Sequence, residues 1–147
     1  MTSYSRNYYK QNQLRLQDNQ RKYEYEKYNS DKEFRLTKRY QSRIDNHFGI
    51  GKHKAENLLS CSKAFFKMYI EFCLRDTNRA TMDLSLLDLH HIQPVDTDPE
   101  NLSLWHWTNI MPVTEEENLK QNKNRDKTAE KIHKNRVLRF LQTVQLN

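Results

Sequence analysis

The chain has 147 residues, of which 35% are hydrophobic and 30% are charged, and its formal net charge is +6. This length and composition favour one small domain with a modest core. No apolar run approaches the roughly 18 residues of a membrane span, and the first residues lack the apolar region of a signal peptide. We therefore expect a soluble, cytoplasmic protein with no membrane partner. The positive charge favours a polyanionic partner such as nucleic acid, although many unrelated proteins are also basic.

Residues 1–48 form a basic segment that contains no Gly and no Pro. It holds eleven Lys or Arg against six Asp or Glu, which is almost all of the excess positive charge. Apolar residues are too sparse for an independent core, so we expect helices held only by packing on the rest of the chain or on DNA. Cations interleaved with tyrosines suit phosphate contacts and base stacking. A solvated polar helix or a partly disordered arm is the alternative. The candidate contact residues are Arg21, Lys22, Lys38 and Arg39.

Gly49 and Gly51 mark the first break in the chain, a turn after the basic segment. Over residues 52–74, apolar side chains recur at steps of three and four, which predicts a helix pair or a bent helix. Ser60 and Ser62 are expected to cap its second half. The cysteines within this segment have no second pair, so a zinc site made of four cysteines is excluded and buried free thiols are expected.

Two adjacent histidines, His90 and His91, lie in an apolar run that favours a β-strand. Because side chains alternate along a strand, one imidazole should lie on each face. Asp88, two residues earlier, shares the face of His90 and could orient a histidine. A second β-like run covers residues 109–113. Trp105 and Trp107, which precede this run, are expected to pack the resulting hairpin.

A capped helix is predicted directly after the second strand. Thr114 is a good N-cap, and Glu117 three residues later completes a capping box. Asn118 and Asn122 are four residues apart, so both amides should project from one helix face toward the strand that carries the histidines. An imidazole and one or two amide oxygens could meet there around a metal ion.

The end of the chain predicts an amphipathic helix over residues 127–145 that closes the core. Its apolar residues recur at helical spacing. They are Ala129, Ile132, Val137, Phe140, Leu141 and Val144.

Four short motifs follow one another within roughly residues 54 to 125. The first has two parts, Leu58-Leu59-Ser60-Cys61-Ser62 and Phe66-Lys67-Met68-Tyr69-Ile70-Glu71. The other three read Leu89-His90-His91-Ile92-Gln93-Pro94, Thr108-Asn109-Ile110-Met111-Pro112-Val113 and Glu116-Glu117-Asn118-Leu119-Lys120. In this order they resemble the HNH endonucleases found in phages and large DNA viruses. The resemblance implies an α+β, mostly helical fold. It would contain a small ββα-metal nuclease core of a hairpin and a helix, together with supporting helices and a basic helical N-terminal arm. The implied division is an arm at 1–48 and a nuclease domain at 49–147, with its core at 86–125.

The resemblance also implies a function, the metal-dependent hydrolysis of DNA phosphodiester bonds. His91 matches the position of the general base, while His90 and Asn118 match the metal ligands. Asn109 matches the central Asn, whose implied role is to brace the hairpin loop and keep the base aimed. Asn122 is an additional candidate for a metal ligand or a phosphate contact. Further phosphate contacts are expected from Lys120, Lys123 and Arg125.

The chain departs from the family pattern at two positions. His90 stands where the viral proteins usually have Asp, and imidazole suits transition metals better than magnesium. The expected cofactor is therefore Mg²⁺ or Mn²⁺, with Ni²⁺ or Zn²⁺ as credible alternatives. The other departure is Ser60, which replaces a usual Gly in the supporting segment.

Several alternatives stay open at this point. RNA is an alternative substrate to DNA, and a homodimer is compatible with a site that nicks one strand at a time. The rival function is that of a non-catalytic nucleic-acid-binding protein on a retired HNH core. A structural metal module is a weaker rival, and it would lose its fold on chelation.

Overall fold

The computed structural model describes residues 3–83, 87–120 and 124–146. The chain is 71% helical with a small two-stranded antiparallel sheet, so the predicted mostly helical α+β class is confirmed. Within the described ranges, no helix combines the length and the apolar character needed to span a membrane. The elements are α1 (Ser3–Ser30), α2 (Lys32–Phe48), α3 (Ala55–Leu59), α4 (Lys63–Asp76), β1 (Leu87–His91), β2 (Ile110–Thr114), α5 (Glu115–Lys120) and α6 (Lys127–Leu146).

The hairpin of β1 and β2 is antiparallel, with His91 opposite Ile110. Residues of β1 alternate between two environments, as strand geometry requires. Leu87, Leu89 and His91 are buried, whereas Asp88 and His90 are half-buried on the other face. The predicted placement of the two histidines on opposite faces is therefore confirmed. Three short 3-10 helices lie in the connection between the strands, at Val95–Thr97, Leu102–Trp105 and Trp107–Asn109.

Helix α5 begins directly after β2 and lies against both strands. Its start is capped as predicted, because the Glu117 amide donates to Thr114 Oγ1 at 3.1 Å. Glu115, Glu116 and Glu117 occupy the first turn, where carboxylates stabilise the positive end of the helix dipole. The Glu117 carboxylate also pairs with Arg79, which follows α4. These contacts fix the helix that carries Asn118.

Helix α2 belongs to the core. Leu36, Tyr40 and Ile44, spaced four residues apart, are at most 4% exposed. The Tyr40 hydroxyl donates to the main-chain oxygen of Trp105 at 2.7 Å, so α2 is fastened to the connection between the strands. The hydrophobic core thus includes residues of α2 as far back as Leu36.

Helix α1 differs from α2, although both are basic. It lies against α2, yet none of its residues whose burial is described belongs to the hydrophobic core. Its aromatic and aliphatic side chains are largely in solvent. Those that are more than half exposed are Tyr8, Tyr9, Leu14, Leu16, Tyr23 and Tyr25.

The predicted helix pair corresponds to α3 and α4. Ser62 caps α4 as expected, because its hydroxyl accepts from the Phe65 amide at 3.1 Å. Ser60 instead ends α3 in the left-handed conformation, with φ of 61°. Cys61 is half-buried and Cys73 is buried, and both are free thiols as predicted. Burial raises the pKa of Cys61 to about 11 and that of Cys73 to about 12.

Helix α6 packs Val137 and Phe140 into the core. The Phe140 ring contacts the ring of Trp107, with centroids 5.8 Å apart, so the predicted packing role of this tryptophan is confirmed. The prediction that Ile132 faces the core is wrong, because this side chain is 53% exposed. His133 is buried instead, since the inward stripe passes through 133, 137 and 140 at helical spacing.

Candidate functional site

Three polar side chains meet on the outer face of the hairpin. Asp88 and His90 come from alternate positions of β1, and Asn118 comes from the last turn of α5. The Asn118 side chain lies near the His90 ring and raises its pKa. Its Nδ2 atom also reaches Asp88 Oδ2 at 3.4 Å. The meeting of imidazole and amide that the sequence predicted is therefore present, while Asp88 contacts the amide rather than a histidine.

Arginines of α2 complete this face of the molecule. Arg39 Nη2 lies 3.2 Å from Asp88 Oδ1. Arg43, one turn further along α2, was not singled out from the sequence. Its four-residue spacing from Arg39 was the available signal, because that spacing puts both side chains on one helix face. The cavity between α2 and the hairpin has a volume of about 410 Å³ and is lined by Arg39, Ser42, Arg43, Asp88, Leu89 and Asn118.

The electrostatic environment keeps His90 neutral at neutral pH. Burial and the nearby Arg43 lower the pKa of His90, and Asn118 opposes them. The imidazole of His90 and the amide of Asn118 are the two candidate ligand groups for a metal ion, and they lie near each other. A neutral imidazole is the form that binds a metal ion.

His91 lies on the inner face of β1 and is 5% exposed. Its ring meets that of Trp105 edge to face at a centroid distance of 4.5 Å, and the Tyr40 ring lies 6.1 Å away. Burial, followed by the charge of Arg43, lowers the pKa of His91 to about 3. Among the residues that the structure describes, none is hydrogen-bonded to the buried Nε2 atom. Burying a polar atom in this way is unfavourable, and native proteins rarely do so without a reason.

Asn109 ties together the two ends of the connection between the strands. Its Oδ1 atom accepts from the Gln93 amide at 2.9 Å, and its Nδ2 atom donates to the Gln93 oxygen at 3.1 Å. The same Nδ2 atom donates to the Leu104 oxygen at 2.8 Å. Gln93 follows His91 by two residues, so this geometry suits the bracing role, which stays a prediction.

Among the remaining candidates of the C-terminal part, the structure describes the side chain of Arg125 alone. Asn122 and Lys123 lie outside the described residues, as does the side chain of Lys120. Arg125 pairs with Glu130 at 2.7 Å.

The candidates of the basic segment are partly brought together. A groove of about 400 Å³ lies between α1 and α2, and it contains Arg21, Lys38 and Arg39 but not Lys22. Aromatic side chains lie among these cations. The groove shares Arg39 and Ser42 with the cavity beside Asn118, so the two are adjacent. The residues that line it are Arg21, Glu24, Tyr25, Tyr28, Phe34, Lys38, Arg39 and Ser42.

The donor set can be tested against a divalent metal ion. His90 offers a nitrogen, Asn118 an amide oxygen and Asp88 a carboxylate, a mixed set that suits transition metals. The described residues contain no group of three or more His, Cys, Asp or Glu side chains that could hold a metal. Because Arg39 already pairs with Asp88, the pair His90 and Asn118 is the part of the set that fits best.

Comparisons of this chain with protein-family models, with curated proteins and with solved structures find no match. The functional interpretation therefore depends on the arrangement of the side chains and on their chemistry.

Proposed function

We propose that the chain is a metal-dependent endonuclease of the HNH type that hydrolyses DNA phosphodiester bonds. The observation that supports this most is that Asn118 of α5 lies over the strand face of β1 that carries Asp88 and His90, where it reaches Asp88 at 3.4 Å and raises the pKa of His90. The order of strand, strand and helix that the resemblance implies is present as β1, β2 and α5. His90 lies on the first strand and Asn118 on the helix that packs against it. The arginines of α2 place positive charge at the same face, where a phosphate backbone would lie.

Hydrolysis of a phosphodiester requires a water molecule that loses a proton and an environment that stabilises negative charge on phosphate. His91 is the proposed base, because its lowered pKa keeps the imidazole neutral and able to accept a proton. A divalent ion bound by His90 and Asn118 would stabilise charge on the phosphate and on the leaving oxygen. Asn109 would hold the segment after His91 in place, so that the ring keeps its direction.

The base requires access to water, and His91 is covered in this structure by Trp105 and Tyr40. Tyr40 belongs to α2, the helix that also carries Arg39 and Arg43, and these two arginines line the cavity beside Asn118. DNA that binds these arginines would therefore contact the same helix whose Tyr40 side chain covers His91. The Nε2 atom supports this interpretation, since no described residue uses it for a structural hydrogen bond.

The expected path of the DNA runs along α2. The groove between α1 and α2 combines three cations with one acidic residue, Glu24, and with aromatic rings. Such a surface suits phosphate neutralisation and contacts with bases or sugars. Because this groove adjoins the cavity beside Asn118, a bound strand could pass from one to the other. RNA would meet the same chemistry and is the alternative substrate.

A second candidate function is supported by a different observation. His91 lies on the opposite strand face from His90 and is 5% exposed, so the two side chains have different surroundings. A protein that binds nucleic acid without cutting it would tolerate this arrangement. In that case the basic groove would be the functional surface and the hairpin would be a scaffold.

Incubation of supercoiled plasmid with the protein distinguishes the two functions. Mg²⁺, Mn²⁺, Ni²⁺ and Zn²⁺ are tested one at a time, and EDTA provides the metal-free control. An endonuclease will convert the plasmid to nicked or linear DNA, and both EDTA and His91→Ala will stop the reaction. His53→Ala is the matched control, because it removes a histidine whose ring packs on Phe48 rather than at the hairpin. DNA that shifts in a binding gel yet stays intact with every metal would favour the binding protein.

A further inference from the structure

We propose that the cavity between α2 and the hairpin is an anion site in which Arg43 binds a phosphate group. That this phosphate belongs to a DNA strand rests on the proposed function, whereas the anion site itself does not. Arg43 lines the cavity together with Arg39, Asp88 and Asn118. The sequence motifs assign no role to Arg43.

The first argument is the pairing of the arginines along α2. Arg35, Arg39 and Arg43 recur every four residues and therefore follow one stripe of the helix. Arg35 donates to the main-chain oxygen of Tyr28 at 2.9 Å, and Arg39 pairs with Asp88 at 3.2 Å. Arg43 is half-buried, and no described residue forms a hydrogen bond or an ion pair with its guanidinium group. It is therefore the member of the stripe that still requires an acceptor.

The second argument is electrostatic. Burial lowers the pKa of Arg43, and the positive charge of Arg39 acts in the same direction. Asp88 opposes them, but this carboxylate is shared with Arg39. The cavity thus holds two guanidinium groups and one carboxylate, which leaves an excess of positive charge beside a partly desolvated cation. An anion that enters the cavity would supply the missing acceptor.

The third argument concerns the kind of anion. A guanidinium group presents several N–H donors in a planar fork, which matches the oxygens of a phosphate. The cavity, at about 410 Å³, is large enough for a nucleotide-sized group, since small-ligand sites span roughly 300 to 1,000 Å³. Asn118 lines the same cavity and lies near His90. A phosphodiester held by Arg43 would therefore lie beside the proposed metal ligands, which makes Arg43 a substrate-binding residue.

The anion site is tested without DNA or metal. Thermal unfolding of the full chain is measured in EDTA with increasing inorganic phosphate, at constant ionic strength kept with chloride. A ligand that binds only the folded state adds RT ln(1 + [L]/Kd) to the free energy of unfolding, so the melting temperature rises with the phosphate concentration. Phosphate should stabilise the wild type and the control Arg15→Gln, whose arginine is exposed on α1, but not Arg43→Gln. Because Arg43 has no described partner, Arg43→Gln should fold at least as stably as the wild type. Equal phosphate stabilisation of Arg43→Gln, or none in the wild type, would overturn the proposal.

The link to DNA is tested by binding of a short duplex in EDTA over a range of salt concentrations. Loss of one phosphate contact should weaken binding and reduce the slope of log affinity against log salt by about one. Arg43→Gln should show this change and Arg43→Lys only part of it. If Arg43→Gln abolishes phosphate binding while the wild type never cuts plasmid, the anion site stands and the endonuclease proposal fails. If the wild type cuts plasmid and Arg43→Gln binds and cuts as well as it does, the endonuclease proposal stands and the anion site fails.

Discussion

Two buried histidines, His91 and His133, lie in different parts of the core and differ in the hydrogen bonds of their rings. His91 is 5% exposed and His133 is 3% exposed. Burial lowers the pKa of His91 to about 3 and that of His133 to about 4, so both rings are neutral at neutral pH. They differ in their hydrogen bonds. His133 is fully engaged, whereas Nε2 of His91 has no partner among the described residues. Burial and neutrality are therefore common to both histidines, and the hydrogen bonding of their nitrogens is what distinguishes them.

The surroundings of His133 explain its structural role. Arg136 Nη1 lies 3.0 Å from Nδ1 and can only donate, so Nδ1 is the acceptor and Nε2 carries the proton. That Nε2 atom donates to the Thr108 oxygen at 2.9 Å. The Tyr69 hydroxyl, 2.9 Å from Nε2, donates in turn to the Ile110 oxygen at 2.6 Å. This network fastens α4 and α6 to the start of β2.

The largest effect on stability is expected from His133→Leu. The substitution would leave the Thr108 oxygen and the Arg136 donor without their buried partner, so the free energy of unfolding should fall by about 2 to 4 kcal/mol. Urea denaturation followed by circular dichroism measures this loss. Plasmid cleavage per folded molecule should stay at the wild-type level. A variant that is as stable as the wild type would contradict the structural role of His133.

The second expected effect is a loss of stability in acid. A histidine has an ordinary pKa near 6.5, and that of His133 is about 4 because of burial and Arg136, so the unfolded chain takes up the proton more readily. The contribution of neutral His133 is fully present above pH 6.5 and is lost as the pH falls toward 4. Between pH 7.5 and 5 it should decrease by about 2 kcal/mol.

This dependence is measured by urea denaturation of the wild type and of His133→Leu at both pH values. Besides Arg136, the groups that act on His133 are Tyr69 of α4 and the ring of His90. The variant should lose less stability on acidification than the wild type. Identical pH dependence of the two proteins would remove His133 as the cause.

A smaller effect is expected from Asn109→Ala. The side chain makes three hydrogen bonds to the main chain of Gln93 and Leu104, and their loss should reduce stability by about 1 to 3 kcal/mol. Cleavage should fall further than the fraction of folded protein does, because the segment after His91 loses its support. The control is Asn101→Ala in the same connection, where the side chain accepts from the Ser103 amide at the surface. If cleavage by Asn109→Ala only follows its folded fraction, bracing has no part in activity.

The smallest effect is expected from Ser60→Gly. Ser60 ends α3 with φ of 61°, a conformation that glycine adopts without strain. The substitution should stabilise the protein by about 1 kcal/mol, offset in part by loss of the exposed bond from its hydroxyl to Asn57. Thermal unfolding measures the gain, and cleavage should be unchanged. A decrease in stability would show that the hydroxyl contributes more than the strain.

Local signals made part of this fold predictable. The caps at Thr114 and Ser62 involve residues three positions apart, so the sequence alone was sufficient. The opposite placement of His90 and His91 follows from strand alternation. The proximity of His90 and Asn118 followed from combining the strand with the capped helix. Their role as metal ligands stays a prediction.

Features that depend on distant parts of the chain could not be predicted. Tyr40 lies in a segment with few apolar residues, and its burial depends on Trp105, which is 65 positions away. His133 displaces Ile132 from the inward stripe of α6 because its polar atoms find partners on α4 and before β2. The lack of a described partner for Arg43 depends on the ion pair between Arg39 and Asp88. Sequence spacing does not contain that information.

The most direct test of the central claim is the substitution His91→Leu, with stability and plasmid cleavage measured on the same preparation. We expect Nε2 of His91 to serve catalysis and not stability, because it is buried and has no described hydrogen-bond partner. Leucine removes this polar atom and is similar in size. Stability should then be unchanged or higher, while cleavage in the metal that best supports the wild type should fall by about 10² to 10⁴-fold. Cleavage at the wild-type rate by a folded His91→Leu protein would contradict the claim.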